Sequence, residues 1–306
     1  MNAAKRSNET RDVTLVEAVN MALHRAMADD GNVVVLGEDI ATNGGVFRAT
    51  VGLKEAFGFK RVMDTPLAEN LIAGTTIGMA TQGLKPVAEF QFMGFIYAGM
   101  EQIVSHAARM RNRTRGRLHC PLVFRAPFGG GIHAPEHHSE STEALFAHIP
   151  GLRVVIPSSP QRAYGLLLAA IRNPDPVIFL EPKRIYRAVT QSVEDNGEAL
   201  PLDTCFTLRE GDDVTLITWG KQLFNVEKAA EQLAAEGIDA FLPSVWSALR
   251  PLLSEASRAL ATVVEEEHEL LPALERLAPA AVDGSASSAL PITMISEHPF
   301  QDVTLG

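Results

Sequence analysis

Residues 64–92 read DTPLAENLIAGTTIGMATQGLKPVAEFQF. Glu69 opens a segment, ENLIAGTTIGMATQG, that reads as a helix with Gly74 and Gly78 on one face. Each glycine inside a helix costs roughly 1 kcal/mol relative to alanine, so close packing is expected to justify the pair. KPVAEFQF follows at once and reads as a strand. A helix delivering the chain into an apolar strand is the repeating unit of a parallel sheet, and the question is whether the unit recurs.

It recurs on both sides. Upstream, Thr14-Leu-Val-Glu17 has the form of a capping box before a helix with apolar positions Leu15, Val19, Ala22, Leu23 and Ala26. VVVLG, Val33 to Gly37, is a continuous apolar run of the buried-strand type. Downstream, GMEQIVSHAARMRNR reads as one helix, and PLVFRAP, LRVVIP and PVIFLEP read as strands, with the helix QRAYGLLLAAIRN between the last two. The segment Arg187 to Asp213 is polar and has no clear period. A second alternation follows: strand DVTLITWG, a helix over Val226 to Ala235, strand IDAFLPSV, a short helix after SALRPL, strand ATVVEEE, helix LLPALERLA, the connector AVDGSASSALP and strand ITMIS. The expected fold is α/β with two parallel-sheet domains, residues 1–188 and 214–306, joined by a linker over 189–213.

Bulk properties narrow the function. A chain of 306 residues with 46% hydrophobic residues has room for a sizeable core in two domains. A formal net charge of −10 argues against general affinity for nucleic acid or anionic membrane. Cys120 and Cys205 form no CxxC pair, which fits a reducing compartment. The polar start MNAAKRSNETRD lacks the apolar core of a secretory signal, and no apolar run reaches the ~20 residues of a membrane helix. A soluble, cytoplasmic protein is expected.

Three features are candidates for chemistry. FGGGIHAPEHHSES, Phe128 to Ser141, sets His133, His137 and His138 behind three glycines. His133 and His137 have the i, i+4 spacing that suits zinc on a helix, but Pro135 and the glycines argue against a helix. A metal site, a plain surface loop and a mobile catalytic loop all remain open for it. Glu69 follows Asp64-Thr-Pro66 and is either a first-turn acid favoured by the helix dipole or a functional carboxyl. Arginines 109, 111, 113, 115 and 117 would meet a phosphate or an acidic partner, or lie solvated at a helix C-terminus. There is no P-loop, no GxGxxG and no HExxH, since His268-Glu-Leu-Leu-Pro ends in proline.

Taken together, DTPLAENLIAGTTIGMA, KPVAEFQF, GGGIHAPEHHSES, and HIPGLRVVIPSSP through IRNPDPVIFLEPKRIYR resemble the beta subunits of thiamine-diphosphate-dependent 2-oxo acid dehydrogenases, bacterial pyruvate dehydrogenase beta chains above all. The resemblance is near-continuous from about Val13 to Gly220. It implies a pyrimidine-binding domain followed by a transketolase C-terminal-like domain. It implies a cofactor, thiamine diphosphate, shared with an alpha subunit that holds the diphosphate through magnesium.

Glu69 matches the family glutamate that hydrogen-bonds the aminopyrimidine ring, and Phe95 matches the aromatic residue packed against it. A carboxyl in an apolar pocket keeps its proton more readily, which suits it to promote loss of the thiazolium proton. His138 matches the active-site histidine of a flexible loop, expected to assist intermediates or acyl transfer to the lipoyl group, while no essential role carries over to His133 or His137. Some members hold potassium largely through backbone carbonyls, and the matching positions are Leu122, Ala170, Ile171, Asn173 and Asp175. The implied assembly is an α2β2 heterotetramer that serves a lipoyl acyltransferase core.

The C-terminal part departs from the family pattern. ALRPLLSE stands where a PLD-type motif is usual, and VVEEEHELLPALERL has no glycine turn. That domain is expected to be divergent or shortened, which leaves a non-catalytic scaffold of the same fold as an alternative. Branched-chain 2-oxo acid and acetoin dehydrogenase beta subunits are alternatives within the enzyme reading, and a histidine-loop metallohydrolase is one outside it.

Overall fold

The computed structural model describes residues 9–132, 134, 136–245, 261–264 and 292–295. The chain forms two units, residues 1–202 and 203–306.

In the first unit the chain starts as β1 (Thr10–Thr14) and enters α1 (Leu15–Asp29). The expected capping box is present: the Glu17 carboxylate accepts hydrogen bonds from the Thr14 amide at 2.8 Å and the Thr14 hydroxyl at 2.6 Å. The elements that follow are β2 (Val33–Gly37), α2 (Leu53–Phe57), β3 (Val62–Asp64), α3 (Glu69–Thr81), β4 (Lys85–Glu89), α4 (Met110–Arg113), β5 (Val123–Phe128), α5 (Glu143–Ala147), β6 (Arg153–Val155), α6 (Pro160–Arg172), β7 (Val177–Pro182) and β8 (Thr190–Glu194). Six of these strands make one sheet in the order β3-β2-β4-β5-β7-β6, every neighbouring pair parallel. β2, β5 and β7 are buried along their whole lengths, as the continuous apolar runs require.

Two regions differ from the expectation. The strand KPVAEFQF ends at Glu89, after one further bond from the Phe90 amide to the Arg125 carbonyl, and Met93–Gly99 coils into a 3-10 helix. The single helix expected over residues 99–113 is instead a π turn over Gln102–Ala107 followed by the short α4. Tertiary contact accounts for the break. A side chain at Gly151 would sit 2.0 Å from the Ala108 carbonyl, so another segment crosses the chain there.

The polar segment read as a linker carries regular structure at both ends. β8 pairs antiparallel with β1, from Thr10 opposite Glu194 to Thr14 opposite Thr190. Residues beyond β8 lie along α6: Tyr164 donates to Asp195 at 2.7 Å, and Leu200 donates to the Gly165 carbonyl at 3.0 Å. Gly165 is required there, because a Cβ would fall 2.6 Å from the Leu200 side chain.

The second unit contains β9 (Cys205–Arg209), β10 (Val214–Ile217), α7 (Leu223–Ala235), β11 (Ala240–Val245), β12 (Ala261–Val264) and β13 (Ile292–Ile295). Its sheet has the order β12-β13-β10-β11-β9, parallel except for β9, which runs antiparallel at the edge. Leu216, Leu223, Val226, Ala230 and Leu242 centre its core. The short helix after SALRPL, the helix LLPALERLA, the connector AVDGSASSALP and His268 lie outside the described residues, as does His133. Among the described residues no helix is long and apolar enough to cross a membrane.

Candidate active site

In a parallel sheet every strand ends on the same edge, and the turns beyond those ends are where such folds carry chemistry. Here β2 ends before Glu38, β3 ends at Asp64, β4 at Glu89, β5 at Phe128 and β7 at Pro182. The sequence-predicted residues Glu69 and Phe95 follow these ends by five and six residues, and His138 by ten.

Glu69 is the first residue of α3 and is half-buried. The 3-10 helix that carries Phe95 packs close on it, since a Cβ at Gly99 would lie 3.1 Å from the Glu69 carbonyl oxygen. A second acid shares the neighbourhood. Half-buried Glu38 is pushed above the usual carboxylate range by burial first, then by the charges of Asp39 and Glu69. The turn beside it is tied down by Asp64, whose carboxylate accepts from the Ala41 amide at 2.7 Å and the Thr42 hydroxyl at 2.6 Å. Burial would raise the Asp64 pKa, but these hydrogen bonds offset it and the net shift is downward. Glu38 is not among the sequence-predicted site residues, although an acid directly after the all-apolar strand β2 marks it in the sequence.

Phe95 and His138, far apart in sequence, meet in space. Their ring centroids are 5.2 Å apart with planes at 81°, and Phe92 meets His138 at 4.5 Å and 64°. The His138 Nδ1 lies 3.0 Å from the Glu136 carbonyl oxygen. A carbonyl can only accept, so that contact places a proton on Nδ1 and leaves Nε2 as the acceptor of the neutral ring. The loop reaches this position because Gly94 has no side chain: a Cβ there would stand 2.3 Å from the His137 carbonyl oxygen and 2.9 Å from the Glu140 side chain. His137 itself is exposed and has φ 68°, so it serves the turn.

Behind these groups lies a buried ionic cluster that the sequence reading also missed. Arg125, 1% exposed, donates through Nε and Nη2 to Glu181 at 2.6 and 2.9 Å and through Nη1 to Glu89 at 2.8 Å. The Tyr186 hydroxyl donates to Glu181 at 2.5 Å. Burial pushes Glu89 above its ordinary value despite Arg125. For Arg125 burial acts downward, but Glu181 and Glu89 more than offset it and the pKa is raised. Glu89, Arg125 and Glu181 lie on adjacent strands β4, β5 and β7. The cluster therefore fixes the ends of the strands that lead into Phe95, the histidine loop and Lys183. Charged residues inside apolar strands were the available signal.

The positions matched to a potassium site fall at the opposite ends of the strands. Leu122 precedes β5, Ala170 and Ile171 close α6, and Asn173 and Asp175 lead into β7. Several of their oxygens have protein partners. The Leu122 carbonyl accepts from Val177 at 3.0 Å, Ala170 from Asn173 at 3.2 Å, and Asn173 Oδ1 from Asp175 at 2.9 Å and Arg153 at 3.2 Å. Asp175 is paired with Arg111 at 2.7 Å, which gives one member of the arginine run a structural role. Among the described residues no group of three His, Cys, Asp or Glu is arranged to hold a metal.

Residues 11–189 match the family described as transketolase, pyrimidine binding domain, and residues 204–269 match transketolase, C-terminal domain. The pyruvate dehydrogenase E1 component subunit beta of Acholeplasma laidlawii is 54% identical over 226 residues, 74% of this chain and 69% of that protein. The 2-oxoisovalerate dehydrogenase subunit beta of Bacillus subtilis is 47% identical over 244 residues, 80% of this chain and 74% of that one. A solved structure titled split gene transketolase, inactive beta4 tetramer, aligns with TM-score 0.66 at 20% identity over 95% of this chain and 91% of that chain, which establishes the shared fold. The site at the strand ends thus lies in a pyrimidine-binding domain, and the chain belongs to the beta subunits of the 2-oxo acid dehydrogenases.

Proposed function

We propose that this beta subunit, with an alpha subunit, decarboxylates pyruvate and passes the acyl group to a lipoyl domain. The observation that carries the reading is the meeting of Phe95 and His138 beside the helix that begins at Glu69. Thiamine diphosphate, when bound, supplies the carbon nucleophile and electron sink that decarboxylation of a 2-oxo acid requires. The side chains present suit its aminopyrimidine: Phe95 and Phe92 give an aromatic wall, and Glu69 gives a half-buried carboxyl.

In this assignment Glu69 exchanges a proton with the ring nitrogen, with half-buried Glu38 as its acidic neighbour. Phe95 orients the ring and excludes water from one side of it. His138, with Nδ1–H directed to a carbonyl, accepts and returns a proton at Nε2 during transfer to the lipoyl group.

Magnesium and the diphosphate belong to the alpha subunit in this reading, and the functional unit is α2β2 docked on a lipoyl acyltransferase core. Residues 1–188 are assigned the chemistry, 189–213 the link and 214–306 the assembly surface. A potassium ion would use the backbone carbonyls of Leu122, Ala170 and Ile171 with Asn173; Asp175 would serve through its pairing with Arg111. The cytoplasm is the assigned compartment, in keeping with the free thiols of Cys120 and Cys205.

The relatives named for pyruvate and for 2-oxoisovalerate make a branched-chain 2-oxo acid the second reading. Decarboxylation of the two acids, assayed side by side with the assembled enzyme, decides between them. Preference for pyruvate supports the first reading, preference for the branched acid the second, and no turnover of any 2-oxo acid, acetoin included, supports a scaffold.

A further inference from the structure

Lys183 has no place in the assignments above, yet it is 5% exposed and stands beside the candidate histidine. A buried ammonium is costly unless hydrogen-bonded or otherwise compensated, so its contacts define its role. Its Nζ donates to the backbone carbonyl of His138 and lies 5.4 Å from the centre of the Phe92 ring. Phe92 in turn meets the His138 ring. One ammonium thus touches both the main chain of the loop and the aromatic residue against which the loop's histidine rests.

The base of this lysine is fixed. Glu181, two residues earlier, is gripped by Arg125 through two hydrogen bonds, and Tyr186, three residues later, closes back on Glu181. The same turn meets the beginning of the loop, where a Cβ on Gly131 would be 3.1 Å from the Arg184 side chain. The loop is closed on itself at its root by a 2.8 Å bond from the Gly129 amide to the Glu140 carbonyl. Its far side has Gly94 beneath it in place of a larger residue.

We propose that Lys183 is a positioning residue that latches the histidine loop, holding His138 against Phe92 and Phe95 by an ammonium–carbonyl bond anchored in the Arg125–Glu181 cluster. The inference deepens the functional reading and rests on it only for the consequence in turnover; the latch itself is a statement about the loop.

The test is amide hydrogen exchange on the full chain assembled with its alpha subunit, for the wild type, K183M and K183R. Loss of a charge-assisted hydrogen bond should speed exchange at residues 136–141 about tenfold or more in K183M. Exchange in β5 and β7 should stay unchanged, and K183R, which keeps a cationic donor, should restore most of the protection. In the same assembled variants kcat should fall while KM for the 2-oxo acid stays within about twofold, because Lys183 acts through His138. Unchanged loop exchange in K183M overturns the proposal, as does equal acceleration in loop and strands, which would mark a merely structural lysine. If K183M does not assemble, K183Q gives the same comparison of loop against strands. These outcomes are separable from failure of the functional reading, since loop exchange is read without turnover.

Discussion

Phe95 and His138 meet edge to face at 5.2 Å, although one lies on a 3-10 helix after β4 and the other on the loop after β5. The parallel sheet makes this possible, because β4 and β5 are neighbours whose chains leave on the same edge. A positive ring edge against a π face also gives the imidazole a preferred orientation, so the pair is both a contact and a positioning device.

Glu69→Gln keeps the shape of the side chain but removes its acid proton. The assembled enzyme should lose a hundredfold or more of its decarboxylation rate, on the order of the ~10²–10⁴ typical for a lost proton-transfer group. Near-normal turnover would remove Glu69 from the mechanism.

His138→Ala should impair turnover or acyl transfer strongly, because His138 matches the family histidine and rests on Phe92 and Phe95, whereas His133→Ala, with no family role to lose, should be mild. Rates measured with a lipoyl domain as acceptor check this. Equal, severe losses accompanied by loss of bound zinc would instead favour a metal loop.

Gly94→Ala tests the seat of the loop. Its methyl would fall 2.3 Å from the His137 carbonyl oxygen, so the loop must shift while the strands beneath it need not. Turnover should drop about tenfold or more, as expected when a catalytic group is displaced by a fraction of an ångström to 1 Å. Thermal stability should change little. Unaltered kinetics would show that the loop's position is unimportant to rate.

Arg125→Met leaves Glu89 and Glu181 buried without their cation and should cost about 3–5 kcal/mol of stability. The pH dependence has a definite sign. Glu89 is held above its ordinary value by burial, and losing Arg125 raises it further. A carboxyl with a raised folded-state pKa contributes stability below its unfolded value, near 4.3, and loses it as pH rises through the folded value. The variant's deficit should therefore be larger at pH 8 than at pH 5 in denaturant titrations, and a pH-independent deficit would contradict this account.

Much of the architecture was legible because it rests on local patterns. The apolar run Val33–Gly37 became a fully buried strand, Thr14 and Glu17 formed their capping box, and Pro160 opened α6 at the position where its missing N–H does no harm. What escaped depends on contacts remote in sequence. The antiparallel pairing of β1 with β8 joins residues some 180 positions apart, and neither segment announces it. The helix expected over 99–113 broke where Gly151 presses on Ala108. In the candidate site, Glu69, Phe95 and His138 are indicated by the family resemblance, but the residues around them are not. Arg125, Glu89 and Glu181 become a cluster only through strand register, and Lys183 reaches His138 across 45 residues of chain.

In the proposed function this chain supplies one half of a shared site. In the proposed reading the alpha subunit holds magnesium and the diphosphate. The contacting rings of Phe92 and Phe95 and a half-buried carboxyl at Glu69 cannot by themselves hold a strongly hydrated anion. Calorimetric titration of thiamine diphosphate with magnesium into the isolated chain, repeated after adding the alpha subunit, tests this directly. Little or no binding is expected for the chain alone and tight, magnesium-dependent binding in the complex; tight magnesium-dependent binding to the isolated chain would rule out a shared site.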